Sequence, residues 1–410
     1  MKRVFQSISA VKALRAPLAA AMALSLAGCV GSVPGTVSAP GALGPGPQPV
    51  VGETIGTGSV RVGLLLPFSA QGNAGNIAQI FKNSATLAVE TITGNDMMLL
   101  VKDTSGTAAG AQQAAQQALS EGAELILGPV FADSVRAAGQ VSKQANRPLI
   151  GFSSDPTAAT EDVYLLSFLT GNDVRRIISH AGANGKRSFA ALISNDAFGQ
   201  VAEAAFRSTV PAAGGRILAI ERYTADPTNP EATQNDVQAK AVALAQAAPT
   251  VDAIFIPQGA VAPFAAQVLQ QNGVNLGTSQ ILGTGTWDDP RVISSNTLVG
   301  SVFAAPDKAQ FNAFSSRYQA RFGSAPPRTA SLAYDASILA MGLIRTAGAR
   351  RFERSIITNE QGYIGTDGVF RLNPNGLNDR SLAVYQINNG VAQVLEPAPQ
   401  SLPARNAARF

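Results

Sequence analysis

The stretch VRVGLLLPFSAQGNAGNIAQIFKNSATLAVE, residues 60–90, holds the fold in miniature. It opens on an apolar run of strand length, 60–67. A polar, glycine-bearing loop follows, and then a helical period over 76–92. The same alternation continues down the chain. Strand-like runs recur at 97–103, 125–129, 148–153, 189–194, 216–223, 253–257 and 280–284. Helical stretches recur at 107–121, 133–145, 197–210, 260–272 and 329–348. The strand runs are continuously apolar, so both faces of their sheets must be covered. That is the signature of parallel α/β structure. Four such units precede residue 165 and about four follow it, too many for one comfortable sheet. Two doubly wound lobes of roughly 150 residues each fit better.

Outside this region the composition changes. Residues 1–15 carry Lys2, Arg3, Lys12 and Arg15 and no acid, and residues 17–28 are almost wholly apolar. This is the pattern of a secretory leader, too short to remain as a membrane span. Its end, Leu26-Ala27-Gly28-Cys29, resembles a bacterial lipobox. Cys29 is the only cysteine in 410 residues, which excludes an internal disulfide and a thiolate metal site. The resemblance implies cleavage after residue 28 and acylation of Cys29, and two acyl chains already anchor a protein stably. Residues 29–58 are rich in Gly, Pro, Ser and Thr, with Glu53 their only charge, and read as a linker. Fully extended it would reach roughly 80–90 Å at ~3.1 Å per residue. Residues 393–410 read as a disordered tail. The whole chain has 31 basic and 27 acidic residues. The leader holds four of the bases and no acid, so the mature chain is formally neutral, and no basic face calls for nucleic acid.

In doubly wound sheets ligands bind beyond the carboxyl ends of strands. Here those ends carry Pro or Gly followed by small polar residues. The candidate cleft residues are Ser69, Gln71, Asp133, Ser134, Ser153, Ser154, Asp155, Gln258, Thr284, Thr286, Trp287 and Tyr334. Several have a structural reading as well. Asp155 before Pro156 and the Asp288-Asp289 pair before Pro290 suit helix caps. Trp287 suits an aromatic plug, and Tyr334 suits core packing. His180, the single histidine, closes a helical stretch where a cation complements the dipole. No Gly-x-Ser-x-Gly elbow or Walker loop is present, and one histidine cannot serve a nucleophile and a metal. The chain reads as a non-enzyme without cofactor or metal.

Four segments carry a resemblance: residues 60–90, LILGPVFADSVRAAGQVSKQANRPLIGFSSDP (125–156), LAYDASILA (332–340) and GTDGVFRLNPNGLNDRSLAVYQINNG (365–390). Their order and spacing are similar to the type 1 periplasmic binding fold, specifically the leucine/isoleucine/valine-binding protein family, over 59–392. The resemblance implies three hinge crossings, placed near 166–168, 303–306 and 352–356. Lobe 1 would comprise 59–166 and 306–352, and lobe 2 would comprise 167–304 and 356–392. It also implies that two lobe-1 loops, Phe131–Ser134 and Ser153–Asp155, hold an amino-acid ligand's α-carboxylate and ammonium. The family's first hydroxyl falls on Ala132 and a threonine falls on Asp155. A carboxylate at Asp155 would repel a ligand carboxylate, whereas Ser134, Ser153 and Ser154 retain donors.

GPVFADSV, RPLIGFSSDP and VYLLSFLTGNDVRRIISHA (163–181) also resemble the penicillin-binding-protein activator lipoproteins, which use the same fold. That resemblance, the acylated cysteine, Val30 behind it and the long linker imply a periplasm-facing, outer-membrane-anchored lipoprotein. Its role would be to activate or scaffold peptidoglycan synthesis through a penicillin-binding protein. The alternative is the substrate-binding component of an ABC importer, delivering amino acids or related small polar ligands to its permease; an amino acid fits that role, whereas a muropeptide as the small polar ligand would point to cell-wall sensing. A third reading is a domain whose cleft is filled by its own side chains.

Overall fold

The computed structural model describes residues 46–94 and 96–405. The leader, Cys29 and most of the linker lie outside them.

Lobe 1 is built on a six-stranded sheet. Its strands are β1 (Thr54–Ile55), β2 (Val60–Leu66), β3 (Met97–Asp103), β4 (Leu125–Leu127), β5 (Leu149–Gly151) and β6 (Val163–Leu165), in the order β1-β3-β2-β4-β5-β6. All pairs are parallel except β1 with β3. Helices α1 (Ala74–Thr91), α2 (Ala108–Ser120) and α3 (Ala132–Gln144) connect the strands. The period of two along a strand explains the continuous apolar runs. Val62, Leu64 and Leu66 join one buried cluster while Leu65 joins the other, on the opposite face with α2 and α3. Each such leucine contributes about 1.5–3 kcal/mol by leaving water.

Lobe 2 repeats the plan. After α4 (Thr170–Ala183) come β7 (Ser188–Ser194), α5 (Ala197–Ala212), β8 (Arg216–Tyr223), α6 (Pro230–Ala247), β9 (Ala253–Phe255), α7 (Ala262–Gln271), β10 (Gln280–Gly283), the short α8 (Pro290–Ile293) and β11 (Val302–Ala305). These five strands are mutually parallel. The chain then returns to lobe 1, where α9 (Ala309–Phe322) and α10 (Ala330–Ala347) complete the face covered by α1.

From here the structure departs from the sequence reading. After the short α11 (Arg354–Ile357), the strands β12 (Tyr363–Gly365), β13 (Gly368–Leu372) and β14 (Asn378–Arg380) form a separate antiparallel sheet. Ile357, Phe370 and Leu372 pack into the lobe-1 core. The third crossing therefore lies near Ser381-Leu382, not at 352–356, and residues 356–380 belong with lobe 1. Only then do β15 (Ala383–Asn388) and β16 (Val391–Glu396) pair antiparallel against β11 and finish the lobe-2 sheet, in the order β16-β15-β11-β10-β9-β7-β8.

Both expected flexible flanks are in part built into the fold. The end of the linker lies on lobe 1: Thr54 and Ile55 pair with Leu100 and Leu99, and Gln48 N–H donates to the Ser120 carbonyl. The strap between them is fastened by a buried ion pair. Lys102 Nζ lies 2.9 Å from Glu121 Oε1 and 2.8 Å from Oε2. Lys102 also donates to Val51 O, and Glu121 accepts from Val51 N–H. At the other end, β16 places Glu396 beside α4, where it accepts from Arg176 at 2.7 Å and lies 2.7 Å from His180 Nδ1. His180 is thus a structural residue in the last turn of its helix. Beyond the strand, Arg405 donates to the carbonyls of Thr358 and Leu372.

Candidate functional site

The topology places two crevices. In lobe 1 the chain leaves β2 for β3 on one side and later crosses to β4 on the other, so the switch point lies between β2 and β4. In lobe 2 the same reversal lies between β7 and β9. Ligands bind beyond strand carboxyl ends at such points. β6 and β11 each leave their sheet by the carboxyl end into a crossing, so both crevices open toward the seam between the lobes.

In lobe 1, Ser69 follows β2. Its N–H donates to Asp103 Oδ1 at 3.3 Å and its hydroxyl pairs with Ser105 Oγ at 2.8 Å. Asp133 stands exposed in the first turn of α3. Arg136, one turn later, donates to Asp133 Oδ1 at 2.7 Å and to Asp155 Oδ2 at 2.8 Å. The Thr157 hydroxyl and N–H donate to Asp155 Oδ1, which caps the 3₁₀ turn Pro156–Ala158. These bonds, with those of Arg136, hold the Asp155 carboxyl below its ordinary range against partial burial. The charge expected to repel a ligand is therefore shared with a guanidinium that the sequence reading missed. Asp133 and Arg136, three residues apart on one helix, were the available signal.

Two of the proposed lobe-1 donors are turned inward. Ser134 is buried and its hydroxyl donates to the Thr107 carbonyl at 3.2 Å. Ser153 is buried and accepts from Asp155 N–H at 3.1 Å. Ser69, Gln71, Asp133 and Ser154 remain exposed at the strand ends, with Asp155 beside them.

In lobe 2, Asp196 follows β7. Its Oδ1 accepts from Ser194 Oγ at 2.7 Å and from Gly199 N–H at 2.8 Å, capping α5. Its Oδ2 receives Gln258 Nε2 at 3.3 Å, and Gln258 Oε1 accepts from the Tyr223 hydroxyl. This chain fixes the amide of Gln258 at the mouth of a cavity of about 730 Å³, whose walls include Phe264, Val261, Val237 and Pro227. Thr286 is exposed on the neighbouring loop, where its hydroxyl donates to Pro257 O at 2.7 Å and accepts from Gly259 N–H at 3.0 Å. Asp196 was not foreseen as a site residue, although Asn-Asp ahead of a helix is a cap signal.

Three other expectations fail. Thr284 is fully buried and donates to Pro257 O at 2.7 Å. Trp287 is fully buried in the lobe-2 core, its indole N–H donating to Ile256 O at 3.0 Å, and it offers no face to a ligand. Gly283 makes this possible, since a Cβ there would lie 2.2 Å from the indole. Tyr334 packs in the lobe-1 core, 4.9 Å from Phe314 between ring centroids. Asp289 does cap α8, accepting from Arg291 N–H at 2.8 Å.

Charges gather at the crossings. Arg328 joins Asp367 at 2.7 Å, the Asp307 carbonyl at 2.6 Å and Asp288 of lobe 2 at 3.4 Å. Arg380 is buried with the rings of Phe168 and Phe370 at 5.0 and 5.6 Å. Asp173, in the first turn of α4, accepts from Gly285 N–H at 3.0 Å. Burial pushes its carboxyl up to about 7, against that bond and the charges of Arg380 and Arg175. An unfolded aspartate titrates near ~3.9. Between the two values the folded chain binds more protons, so the contribution is whole below ~3.9 and is lost as pH rises through about 7. Asp173→Asn keeps an acceptor for Gly285 and removes the titration. It is expected to stabilise the protein near pH 8 relative to its effect near pH 5, which urea midpoints at the two pH values check. Equal changes at both would contradict the assignment.

The model of a family described as periplasmic binding protein matches residues 59–391. None of the curated proteins matches the sequence. Among solved structures, one described as a branched-chain amino acid ABC transporter from Rhodospirillum rubrum aligns with TM-score 0.68 at 18% identity, over 82% of this chain and 99% of that one. A branched-chain amino acid ABC transporter periplasmic ligand-binding protein from Burkholderia xenovorans gives 0.66 at 16%, over 86% and 97%. An ABC transporter substrate-binding protein from Desulfitobacterium hafniense, in complex with Leu, gives 0.58 at 16%, over 82% and 99%.

Proposed function

This chain belongs to the periplasmic binding protein family, and from that membership we propose that it is the ligand-binding component of an ABC importer of the branched-chain amino acid type. The observation that carries this reading is the pair of half-sites. Ser69, Asp133 and Ser154 stand at the strand ends of lobe 1, and Asp196, Gln258 and Thr286 at those of lobe 2, beside a cavity of about 730 Å³. A ligand that touches both sets favours the closed arrangement of the lobes, and that closed form is what a permease would recognise. Acylated Cys29 would hold the receptor at a membrane surface on the periplasmic side. The transporter-type neighbours support this reading over the cell-wall activator role, which requires no ligand-sized cavity.

Thermal unfolding of the non-acylated mature chain, scanned against amino acids, amino-acid amides and small aromatic acids, tests the reading. A ligand at about 100 times its Kd adds about 2.7 kcal/mol. That raises the midpoint by several degrees. A saturable rise with any member supports the receptor reading. No rise with any of them overturns it.

A further inference from the structure

The composition of the lobe-2 cavity narrows the ligand. Its walls are largely apolar, and among the described residues its only charged lining groups are two acids, Asp196 and Asp226. Hydrogen bonds from Thr228 hold the Asp226 carboxyl below its ordinary range. Asp196 Oδ1 is fully engaged by Ser194 and Gly199, but Oδ2 has only the 3.3 Å contact from Gln258 and retains room for a donor.

Among the described residues, the strand ends of the facing half-site carry more acids than bases. Asp103, Asp133 and Asp155 lie at its strand ends, and Arg136 is already divided between the last two. Lys82 is paired with Glu53, and Arg222 with Glu203. An ammonium at Asp196 would gain a charge-assisted hydrogen bond. A carboxylate in the same space would meet like charges on both sides.

We infer that this cleft selects a small apolar amine lacking a free carboxylate, such as an alkylamine or an amino-acid amide, with its ammonium at Asp196 and its hydrocarbon against Phe264 and Val261. The inference rests on the receptor reading above and names the substrate class of the same site.

Calorimetric titration of the non-acylated mature chain with leucinamide, leucine and isovalerate separates the possibilities. Leucinamide is expected to bind at least about tenfold more tightly than leucine, with isovalerate silent. Asp196→Asn keeps the cap on α5, because asparagine caps as well as aspartate. It is expected to weaken leucinamide binding at least about tenfold while the ligand-free unfolding midpoint holds. Asp226→Asn, in a turn that asparagine also supports, is the second variant and should weaken it less. Leucine binding as tightly as leucinamide, or leucinamide binding that survives both substitutions, would overturn the amine class and leave the receptor reading standing. If none of the small molecules scanned in the unfolding experiment binds, the receptor reading falls and the inference falls with it.

Discussion

Lys102→Ala is expected to cost about 3–5 kcal/mol of folding stability, because it strands the Glu121 carboxylate in the interior. The two side chains are 4% and 2% exposed, so neither charge can recover its solvation by a small movement. The loss extends to the strap: Lys102 holds the Val51 carbonyl and Glu121 holds the Val51 N–H. Replacing both partners, as in Lys102→Met with Glu121→Leu, removes the stranded charge and should recover much of the deficit. It should not recover all of it, since the strap loses both hydrogen bonds of Val51, worth about 0.5–1.5 kcal/mol each. Chemical denaturation gives the stabilities, and amide exchange over 48–55 shows whether the strap has come away. A single variant as stable as the double one would contradict the role given to the pair.

Trp287→Ala is expected to cost about 3–5 kcal/mol through the cavity it leaves between β10, β11 and α7. The ring lies 6.3 Å from Phe303, which stacks on Tyr385 at 5.4 Å, so the vacancy opens the aromatic centre of lobe 2. Trp287→Phe fills most of the space but leaves Ile256 O without its donor, a loss of about 1–3 kcal/mol. Trp287 is the only tryptophan in the chain, so parent fluorescence reports lobe-2 unfolding directly and circular dichroism serves for the variants. A ligand that quenched this indole by contact would contradict its burial.

The parallel framework was legible because strands covered on both faces must be mostly apolar, and the centres of β2, β3 and β7 are, with Arg61, Lys102 and Asp103 as the charged exceptions. The strap was not legible. Residues 46–58 are too rich in Gly and Pro to suggest a strand, and β1 forms because β3 offers it an open edge. Residues 391–396 alternate weakly and precede a proline, yet β15 and the Arg176–His180 face of α4 hold them. α6 has a buried stripe of Val237, Ala241, Leu244 and Ala245, and its two alanines give little contrast with the exposed ones beside them. At the candidate site, strand ends drew attention to Ser69, Ser154 and Gln258, none of which is buried. Sequence alone could not say which way a residue at a strand end points. Thr284 and Thr286 are two residues apart, and one is buried while the other is exposed. Arg136 lies a full turn into α3 and Asp196 is the cap residue ahead of α5, where ion pairing and capping mask their availability to a ligand.

If a small ligand bridges the two half-sites, the lobes close on it and the distance between them shortens. Gln140 on α3 of lobe 1 and Ala204 on α5 of lobe 2 are both exposed and belong to neither half-site. Cys29 is the only native thiol; with it replaced by serine, Gln140→Cys and Ala204→Cys accept a pair of spin labels without competition. Adding leucine and leucinamide in turn should, for the one that binds, shorten and narrow the distance distribution between the labels. A distribution that neither ligand changes at saturating concentration would contradict closure.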